Sequence, residues 1–254
     1  MDGQVAFWGK LENFCAYFSG ILAFLLLSAL FMDSGVLETR HSGLHRNDGI
    51  ADAPTDWYNV SEVSTELPLI LASTSLRRKQ LLAEAGYVFE IVPPDEHAEN
   101  ERKKNELPME YVRRLALQKG KNVADKVEQG IIISADTIVL CGKSLLEKPT
   151  DRKDARKMLQ QLRGQIHSVV SGLCLIKKEI EKEDVILQDV ATTRLIMQPI
   201  SDDLLEAYLD TGAWKGKAGA FGYQDGNDWL TILEGSESNV VGLPLELFQT
   251  MYTA

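Results

Sequence analysis

Asp136 interrupts an apolar run in the stretch GIIISADTIVLCGKSLLEKPT, residues 130–150. The isoleucines at 131–133 are typical of a buried strand, and a carboxylate in such a run is costly to bury without a partner or a metal. Lys148 follows a predicted turn at 141–143, so we expect a hairpin to bring it back towards the acid. An acid at a strand end and a returning lysine predict a site for an anionic substrate. The alternative is an Asp that caps a turn and a surface Lys.

A second group of candidate residues lies in LILASTSLRR, residues 69–78. The pattern predicts a strand, a small polar turn with Ser73 and Ser75, and a helix whose first turn contains Arg77 and Arg78. Backbone N–H groups at a helix start bind anions, and a guanidinium matches phosphate oxygens in shape. Arginines are unfavourable at this end of the helix dipole, which favours an anionic ligand. Capping serines and solvated arginines are the alternative.

Two glycine-bearing loops complete the candidate site. In WKGKAGAFGYQ, residues 214–224, small residues let the backbone approach a ligand, Lys217 supplies charge, and the Gln224 amide suits a base edge. GSESNVVGLP, residues 235–244, is a loop that enters a helix. An ordinary flexible loop and a plain turn are the alternatives. Together with the acid, the lysine and the polar turn, these loops predict a nucleotide phosphate site, although neither GxxxxGK[ST] nor GxGxxG is present.

The elements that position these residues alternate between strand and helix from Pro68 onward. This alternation predicts an α/β fold, and the hairpins favour a mixed sheet with flanking helices over a purely parallel one. The charged run 95–106 is predicted to be a loop. Strands are predicted at 69–72, 87–92, from 131, and at 166–176, 185–197 and 229–233, and helices at 76–85, from 108, at 151–161 and 202–209, and from 244.

Composition excludes several classes of protein. The chain of 254 residues has a net charge of -10, which argues against bulk nucleic-acid binding, because that affinity comes mainly from Lys and Arg on phosphates. Its three cysteines lack CxxC spacing and it has four histidines. We therefore expect neither a disulfide framework nor a zinc site, and any metal is expected to have oxygen ligands. The cysteines suit a reducing compartment.

Residues 1–32 form an apolar N-terminal extension. Its segment 14–32, FCAYFSGILAFLLLSALFM, has no charge and is close to the roughly 20 residues that a membrane-spanning helix needs. Three interpretations are open: a membrane anchor, a poor signal peptide, or sequence upstream of the true start. Residues 33–66 are polar and predict a disordered linker. The globular domain is predicted at 67–254.

The motifs LILASTSLRR, SADTIV, EKP, GQIHSVVSG, GKAGAFGYQ and SNVVGLP, in this order and spacing, resemble the Maf family of nucleoside triphosphate pyrophosphatases. The resemblance begins near Pro68 and runs to the C-terminus. It implies a twisted mixed sheet with two lobes around a central cleft, as in inosine triphosphate pyrophosphatases. It also implies hydrolysis of nucleoside triphosphates to the monophosphate and pyrophosphate, a divalent cation (Mg²⁺ or Mn²⁺), and a cytoplasmic location.

The resemblance also implies roles for individual residues. Asp136 matches the catalytic acid that activates water, and Lys148 is the second catalytic candidate. The positions associated with choice of base read Arg, Thr and Gln, as in the dTTP/UTP branch of the family, so dTTP, UTP and modified pyrimidine nucleotides are the expected substrates. The residues expected to bind substrate are Ser73, Arg77, Arg78, Lys119, Thr137 and Gln224.

The acidic residue that the family places after the second strand is ambiguous here. Strict spacing selects His97, with Glu96 and Glu99 on either side. A short insertion would make Glu99 the match, and we favour it as a metal ligand together with Asp136, because Mg²⁺ prefers carboxylates and phosphates. Leu76 replaces a proline of the family, which costs pre-organisation of the helix but no chemistry.

Other functions stay open at this level. One is a pyrophosphatase for 7-methyl-GTP, although the CAGSFKxE pattern of that branch is absent. Another is a division-linked factor that binds nucleotides with little catalysis, and the joint presence of Asp136, Lys119 and Lys148 argues against it. The expected partners are the nucleoside triphosphate, no nucleic acid, a membrane only if residues 14–32 are an anchor, and a homodimer as one alternative for assembly.

Overall fold

The computed structural model describes residues 67–253. The apolar extension 1–32 and the linker 33–66 lie outside the described residues. Within 67–253, no helix is both long and apolar enough to cross a bilayer.

One mixed sheet of seven strands forms the centre of the domain. The strand order is β2-β1-β3-β5-β6-β7, and β4 also pairs with β3. β1 is parallel to both of its neighbours, whereas the other pairs are antiparallel, which confirms the predicted mixed α/β sheet. The strands are β1 Leu69–Leu71, β2 Glu90–Ile91, β3 Gly130–Cys141, β4 Ser144–Leu146, β5 Ile166–Lys178, β6 Val185–Met197 and β7 Leu230–Glu234.

Helices flank the sheet and mostly agree with the sequence pattern. The predicted helix at 202–209 is present, and Ser201 caps it, because its hydroxyl accepts from the Leu204 N–H at 3.2 Å. The predicted loop 235–242 instead contains a short helix. The helices are α1 Leu76–Glu84, α2 Pro108–Ala124, α3 Arg152–Leu162, α4 Asp202–Asp210, α5 Glu237–Val241 and α6 Leu245–Tyr252, with 3-10 turns at Ala218–Ala220 and Tyr223–Asp225.

The second strand is shorter than predicted. The apolar residues before it do not extend the ladder, because Tyr87 and Phe89 turn into the core. The Tyr87 ring meets the Phe248 ring edge-on at 5.0 Å between centroids. β2 therefore lies at the edge of the sheet with only two paired residues, and the residues from 92 to 107 have no helix or strand.

Side-chain alternation divides the core between the two faces of the sheet. Ile132 packs against α2 on one face. Ile133, on the opposite face, packs with α1 and α6. Val139 lies on that same face by alternation but belongs to a separate core with α3, α4 and the loop that follows them. Two core clusters thus flank the middle of one face.

The edge of β3 that faces away from β5 is only partly paired with other strands. β1 pairs with residues 131–133 of β3, and β4 pairs with residues 139–141. Because β5 covers the other edge throughout 130–140, β1 and β4 must share this one. Residues 134–138 lie in the gap between them, and Asp136 is at its centre.

Helix α2 lies unusually close to the sheet. Gly172 in β5 faces its backbone, and a Cβ there would lie 2.3 Å from the Val112 carbonyl oxygen. The Ser134 hydroxyl donates to the Ala116 carbonyl at 2.8 Å, and a Cβ on Gly120 would meet that hydroxyl at 2.8 Å. Small residues at the contact therefore bring Lys119, between Ala116 and Gly120, close to the gap in β3.

We predict that Gly172→Ala destabilises the domain. The added methyl would collide with helix backbone, which cannot yield like a side chain, so we expect a loss of at least about 1–3 kcal/mol in the free energy of unfolding. Urea unfolding followed by circular dichroism measures it. Gln188→Ala, at an exposed position of the neighbouring strand, is the control and should change the free energy by less than about 0.5 kcal/mol. Equal stability of the two variants would contradict the close packing.

Candidate active site

The gap in β3 opens into a cavity of about 380 Å³. It lies at the end of β1, where the chain turns into α1, and the loops at 216–224 and 240–242 form its other walls. Every residue predicted from the sequence to act in the site lines this one cavity: Ser73, Arg77, Arg78, Glu99, Lys119, Asp136, Thr137, Lys148 and Gln224.

Asp136 is in the middle of a continuous strand, so its predicted place at a strand end is wrong. Strand pairing to β5 runs through it without a break, because the cost of a carboxylate in an apolar strand is offset by a partner. Lys119, only 6% exposed, donates to the Asp136 Oδ1 atom at 2.7 Å. The carboxylate of Asp136 is itself 13% exposed, so it faces the cavity rather than the core.

Lys119 also contacts a second carboxylate. Its Nζ atom lies 2.9 Å from Glu99 Oε1, and the Glu99 side chain is 42% exposed. Lys119 therefore bridges two acids, whereas the sequence interpretation placed it near the phosphates. One buried ammonium neutralises much of the repulsion between two carboxylates that share a site.

The three candidates for the acidic position differ in where they lie. Glu99 lines the cavity, whereas Glu96 and His97 are exposed and outside its lining. Within 67–253, no group of three His, Cys, Asp or Glu residues is arranged to hold a metal ion. Two carboxylates that contact the same ammonium are nevertheless a fitting donor set for Mg²⁺ or Mn²⁺, because Mg²⁺ is usually bound by one or two carboxylates plus substrate phosphates.

The turn from β1 into α1 is built around two serines. The Ser75 hydroxyl caps α1 by accepting from the Arg78 N–H at 3.4 Å. The Ser73 hydroxyl accepts from the Ser75 N–H at 3.2 Å. The start of α1 lines the cavity, and the backbone N–H groups at a helix start bind anions.

Arg78 ties three parts of the site together. Its Nε donates to the Gly242 carbonyl at 2.7 Å, Nη1 to the Ser73 hydroxyl at 3.3 Å, and Nη2 to the Thr137 hydroxyl at 3.2 Å. The Thr137 hydroxyl is further held by Ser171 at 2.9 Å. Burial lowers the pKa of Arg78, and the Asp136 charge opposes that shift. The predicted phosphate ligand is thus also a fixed support of the cavity wall.

A network in the glycine-bearing loop was not foreseen from the sequence. Lys217, 9% exposed, pairs with Asp225, and the Tyr208 hydroxyl donates to Asp225 Oδ2 at 3.0 Å. Gly222 gives this pair its room, because a Cβ there would lie 2.3 Å from Lys217 Nζ and would displace the paired side chains. The charge of Lys217, which the sequence interpretation assigned to the ligand, is therefore largely used by Asp225. Its spacing from Asp225 in the sequence carries no recognisable signal.

Arg77 and Gln224 both line the cavity. The Arg77 Nη2 atom donates to the Gly216 carbonyl at 3.0 Å, and Asp225 and Tyr208 oppose the effect of burial, which lowers the pKa of Arg77. Gln224 is exposed on the cavity wall. Its amide has no hydrogen-bond partner among the described side chains, so it can meet a ligand.

Lys148 reaches the cavity as the predicted hairpin requires. β4 pairs back on β3, with Val139 opposite Leu146, and Lys148 follows two residues later. Burial, together with nearby Lys119, lowers the pKa of the Lys148 ammonium, although Asp136 opposes this. A bound polyanion would reverse this penalty, since an opposite charge favours the charged form.

The cavity concentrates positive charge in an acidic protein. Arg77, Arg78, Lys119 and Lys148 line it against two carboxylates, Glu99 and Asp136. Lys217 also lines it, but Asp225 balances that charge. The whole chain, by contrast, has a net charge of -10. A net positive cavity of this size in a negative protein selects a compact polyanion. With an acid at its centre, the arrangement can bind a polyphosphate and activate water beside it.

Comparison with known proteins gives concordant results. Residues 68–254 match the model of the family described as Maf-like protein. A dTTP/UTP pyrophosphatase of Rhodopirellula baltica is 47% identical over 179 residues, covering 70% of this chain and 78% of the relative. A dTTP/UTP pyrophosphatase of Koribacter versatilis is 40% identical over 178 residues, covering 70% and 89%. Among solved structures, a HAM1 protein from Coxiella burnetii aligns over 74% of this chain and 98% of its own at 14% identity, with a TM-score of 0.38, which is too low to support a conclusion.

We predict that Arg78→Lys lowers the free energy of unfolding by about 1–3 kcal/mol. A lysine keeps the charge but cannot bond Gly242, Ser73 and Thr137 together, and hydrogen bonds to charged groups contribute about 1.5–3 kcal/mol each. Urea unfolding measures the loss. Arg77→Lys is the matched control, because Arg77 has one protein bond, to Gly216, and the expected loss is smaller. An equal loss in both variants would show that Arg78 is not the support of this wall.

Proposed function

The chain belongs to the family of Maf-like proteins, and from this premise we propose that it is a nucleoside triphosphate pyrophosphatase that hydrolyses dTTP and UTP to the monophosphate and pyrophosphate. The observation that supports this most is the cavity at the β3 gap, where a carboxylate, a helix start and basic side chains meet. The names of the relatives supply the substrate class.

The basic side chains bind the triphosphate. The Ser73–Ser75 turn and the start of α1 receive phosphate oxygens, and Arg77 and Lys148 add positive charge to the cavity lining. Because the site is partly enclosed, these charges act in a low effective dielectric and are worth more than in water. Most of the rate enhancement would therefore come from charge stabilisation and positioning.

Asp136 is the proposed general base. Its carboxylate takes a proton from a water molecule, whose oxygen then forms a bond to the α-phosphorus while the bond from that phosphorus to the bridging oxygen breaks, so that pyrophosphate leaves. Lys119 holds Oδ1 of Asp136 at 2.7 Å, which fixes the direction of the carboxylate. The proton is taken by the second oxygen, Oδ2, which is not the oxygen bonded to Lys119.

Asp136 and Glu99 are the proposed ligands of a divalent cation, Mg²⁺ or Mn²⁺. When bound, the cation would supply charge neutralisation to the phosphates and to the pyrophosphate leaving group. Among the residues of 67–253, these two carboxylates are the acids that line the main cavity.

We assign the choice of base to the mouth of the cavity. The Gln224 amide offers one donor and one acceptor side to a pyrimidine edge, and Arg77 lines the same cavity. Thr137 acts through Arg78, because its hydroxyl is already bonded to protein groups. We place the enzyme in the cytoplasm, the compartment that the family resemblance implies.

The central test is Asp136→Asn assayed with dTTP, UTP, CTP and 7-methyl-GTP in the presence of Mn²⁺. We expect the wild type to release pyrophosphate fastest from dTTP and UTP, and the variant to lose about 10²–10⁴-fold in rate, the usual contribution of a general base. Circular dichroism checks that the fold is kept. Asp184→Asn, in the exposed turn between β5 and β6, should retain the wild-type rate. Turnover by Asp136→Asn at the wild-type rate would refute the assignment of the base.

A second prediction concerns the pH dependence of kcat/KM for dTTP. The pKa of Lys148 lies below its ordinary value of 10.5, so its ammonium loses the proton at a lower pH than that of a solvated lysine. The triphosphate then loses a positively charged partner. Lys148→Arg stays charged, and the alkaline fall in kcat/KM should therefore move to higher pH. Lys143→Arg, in the exposed hairpin turn, is the control, and the titration of the nucleotide is common to all three enzymes. Identical profiles would remove Lys148 from substrate binding.

A further inference from the structure

Glu99 reaches the cavity from a segment that has no regular structure of its own. Residues 92–107 connect β2 to α2 without a helix or strand, and the Glu99 side chain is 42% exposed, with Lys119 as its partner. A carboxylate on such a segment samples many positions unless the backbone beside it is fixed. Its place in the site therefore depends on what holds the segment.

A row of four polar side chains on the α2 side holds it. Arg114, Gln118, Asn122 and Lys126 follow one another at four-residue spacing, which places them on one face of a helix and its continuation. These four side chains bond the segment 92–107, whereas the polar face of a surface helix usually contacts solvent.

Arg114 holds the side of the segment that follows Glu99. Its Nη1 donates to the Asn100 carbonyl at 3.3 Å and its Nη2 to the Glu101 carbonyl at 3.1 Å. Gln118 accepts from the Asn100 N–H at 3.2 Å. The two residues directly after Glu99 are thus bound through their main chain, whatever their side chains are.

Glu106 fixes Arg114 in turn. The guanidinium meets both carboxylate oxygens, Nε to Oε1 at 2.6 Å and Nη2 to Oε2 at 2.8 Å, and the two side chains are 16% and 8% exposed. This hydrogen bonding holds the pKa of Glu106 at about 2. A bidentate pair of this kind fixes geometry as well as charge.

The side of the segment that precedes Glu99 is held at Asp95. Asn122 accepts from the Asp95 N–H at 2.9 Å and donates to its Oδ2 at 2.8 Å. Lys126 donates to Asp95 Oδ1 at 2.8 Å and to the Pro93 carbonyl at 3.0 Å. Glu99 therefore lies between two parts of the segment, at Asp95 and at Asn100, whose backbone is held by hydrogen bonds.

We propose that Arg114, fixed by Glu106, is a positioning residue that sets the Glu99 carboxylate beside Asp136 for cation binding. The proposal rests on the proposed function in one respect, the assignment of Glu99 and Asp136 as cation ligands. Arg114 touches neither nucleotide nor cation and acts through the main chain of Asn100 and Glu101. Outer residues that orient metal ligands commonly change metal affinity about 10–100-fold when mutated.

The test measures Mn²⁺ binding to the full chain without nucleotide, by the loss of the free-ion signal in electron paramagnetic resonance. Arg114→Gln and Glu106→Gln should each weaken Mn²⁺ binding by about 10-fold. Glu99→Gln gives the reference loss, and adding Arg114→Gln to it should cause little further change, because the positioned ligand is already gone. Arg152→Gln, which removes an exposed pair to Glu206 and Asp210 on α3 and α4, is the matched control and should bind as the wild type does.

Thermal unfolding separates positioning from stability alone. If Arg114→Gln lowers the melting temperature but leaves Mn²⁺ affinity unchanged, or if its effect adds fully to that of Glu99→Gln, the proposal is overturned. Glu106→Gln gives the same decision if Arg114→Gln does not fold, because it breaks the same fork from the side of the carboxylate. Failure of the wild type to hydrolyse any nucleotide would refute the proposed function alone, since Mn²⁺ binding is read without catalysis.

Discussion

The burial of one lysine between two carboxylates is the constraint on which the rest of the site depends. Lys119 can be buried only because Asp136 and Glu99 share its charge, and a carboxylate in the middle of a central strand is tolerated only because Lys119 is there. The three side chains come from a helix, a strand and an irregular segment. Removing Lys119 would leave two neighbouring carboxylates without a counter-charge, so these elements must meet in one arrangement.

The position of the site follows from an interruption in strand pairing. β1 ends at Leu71, and β4 begins to pair only at Val139, so the middle of β3 has room beside it for a ligand. A fully paired sheet would fill this space with another strand. The turn after β1 contributes Ser73 to the same opening, and the chain that follows β4 contributes Lys148.

Local patterns in the sequence predicted much of this arrangement, and contacts distant in sequence account for what was missed. The cap at Ser201 and the return of Lys148 depend on neighbours along the chain, and the sequence pattern indicates both. Asp136 lies within an unbroken strand because a lysine from another element pairs with it. The expectation that this carboxylate would end the strand was therefore wrong. The pair between Lys217 and Asp225 lies in a loop, and the fork of Arg114 joins helix α2 to Glu106 in an irregular segment. No periodicity constrains partners in such segments.

The gap in β3 also exposes groups that no side-chain substitution can remove. The Ile133 carbonyl accepts from Ala72, so it points towards the β1 edge, and alternation along a strand turns the peptide groups of Ala135 and Thr137 the same way. Beyond the end of β1 those amides face the opening. Some of the hydrogen-bonding groups that this cavity offers to a ligand therefore belong to the polypeptide backbone. They persist under substitutions at position 135 that keep the strand intact.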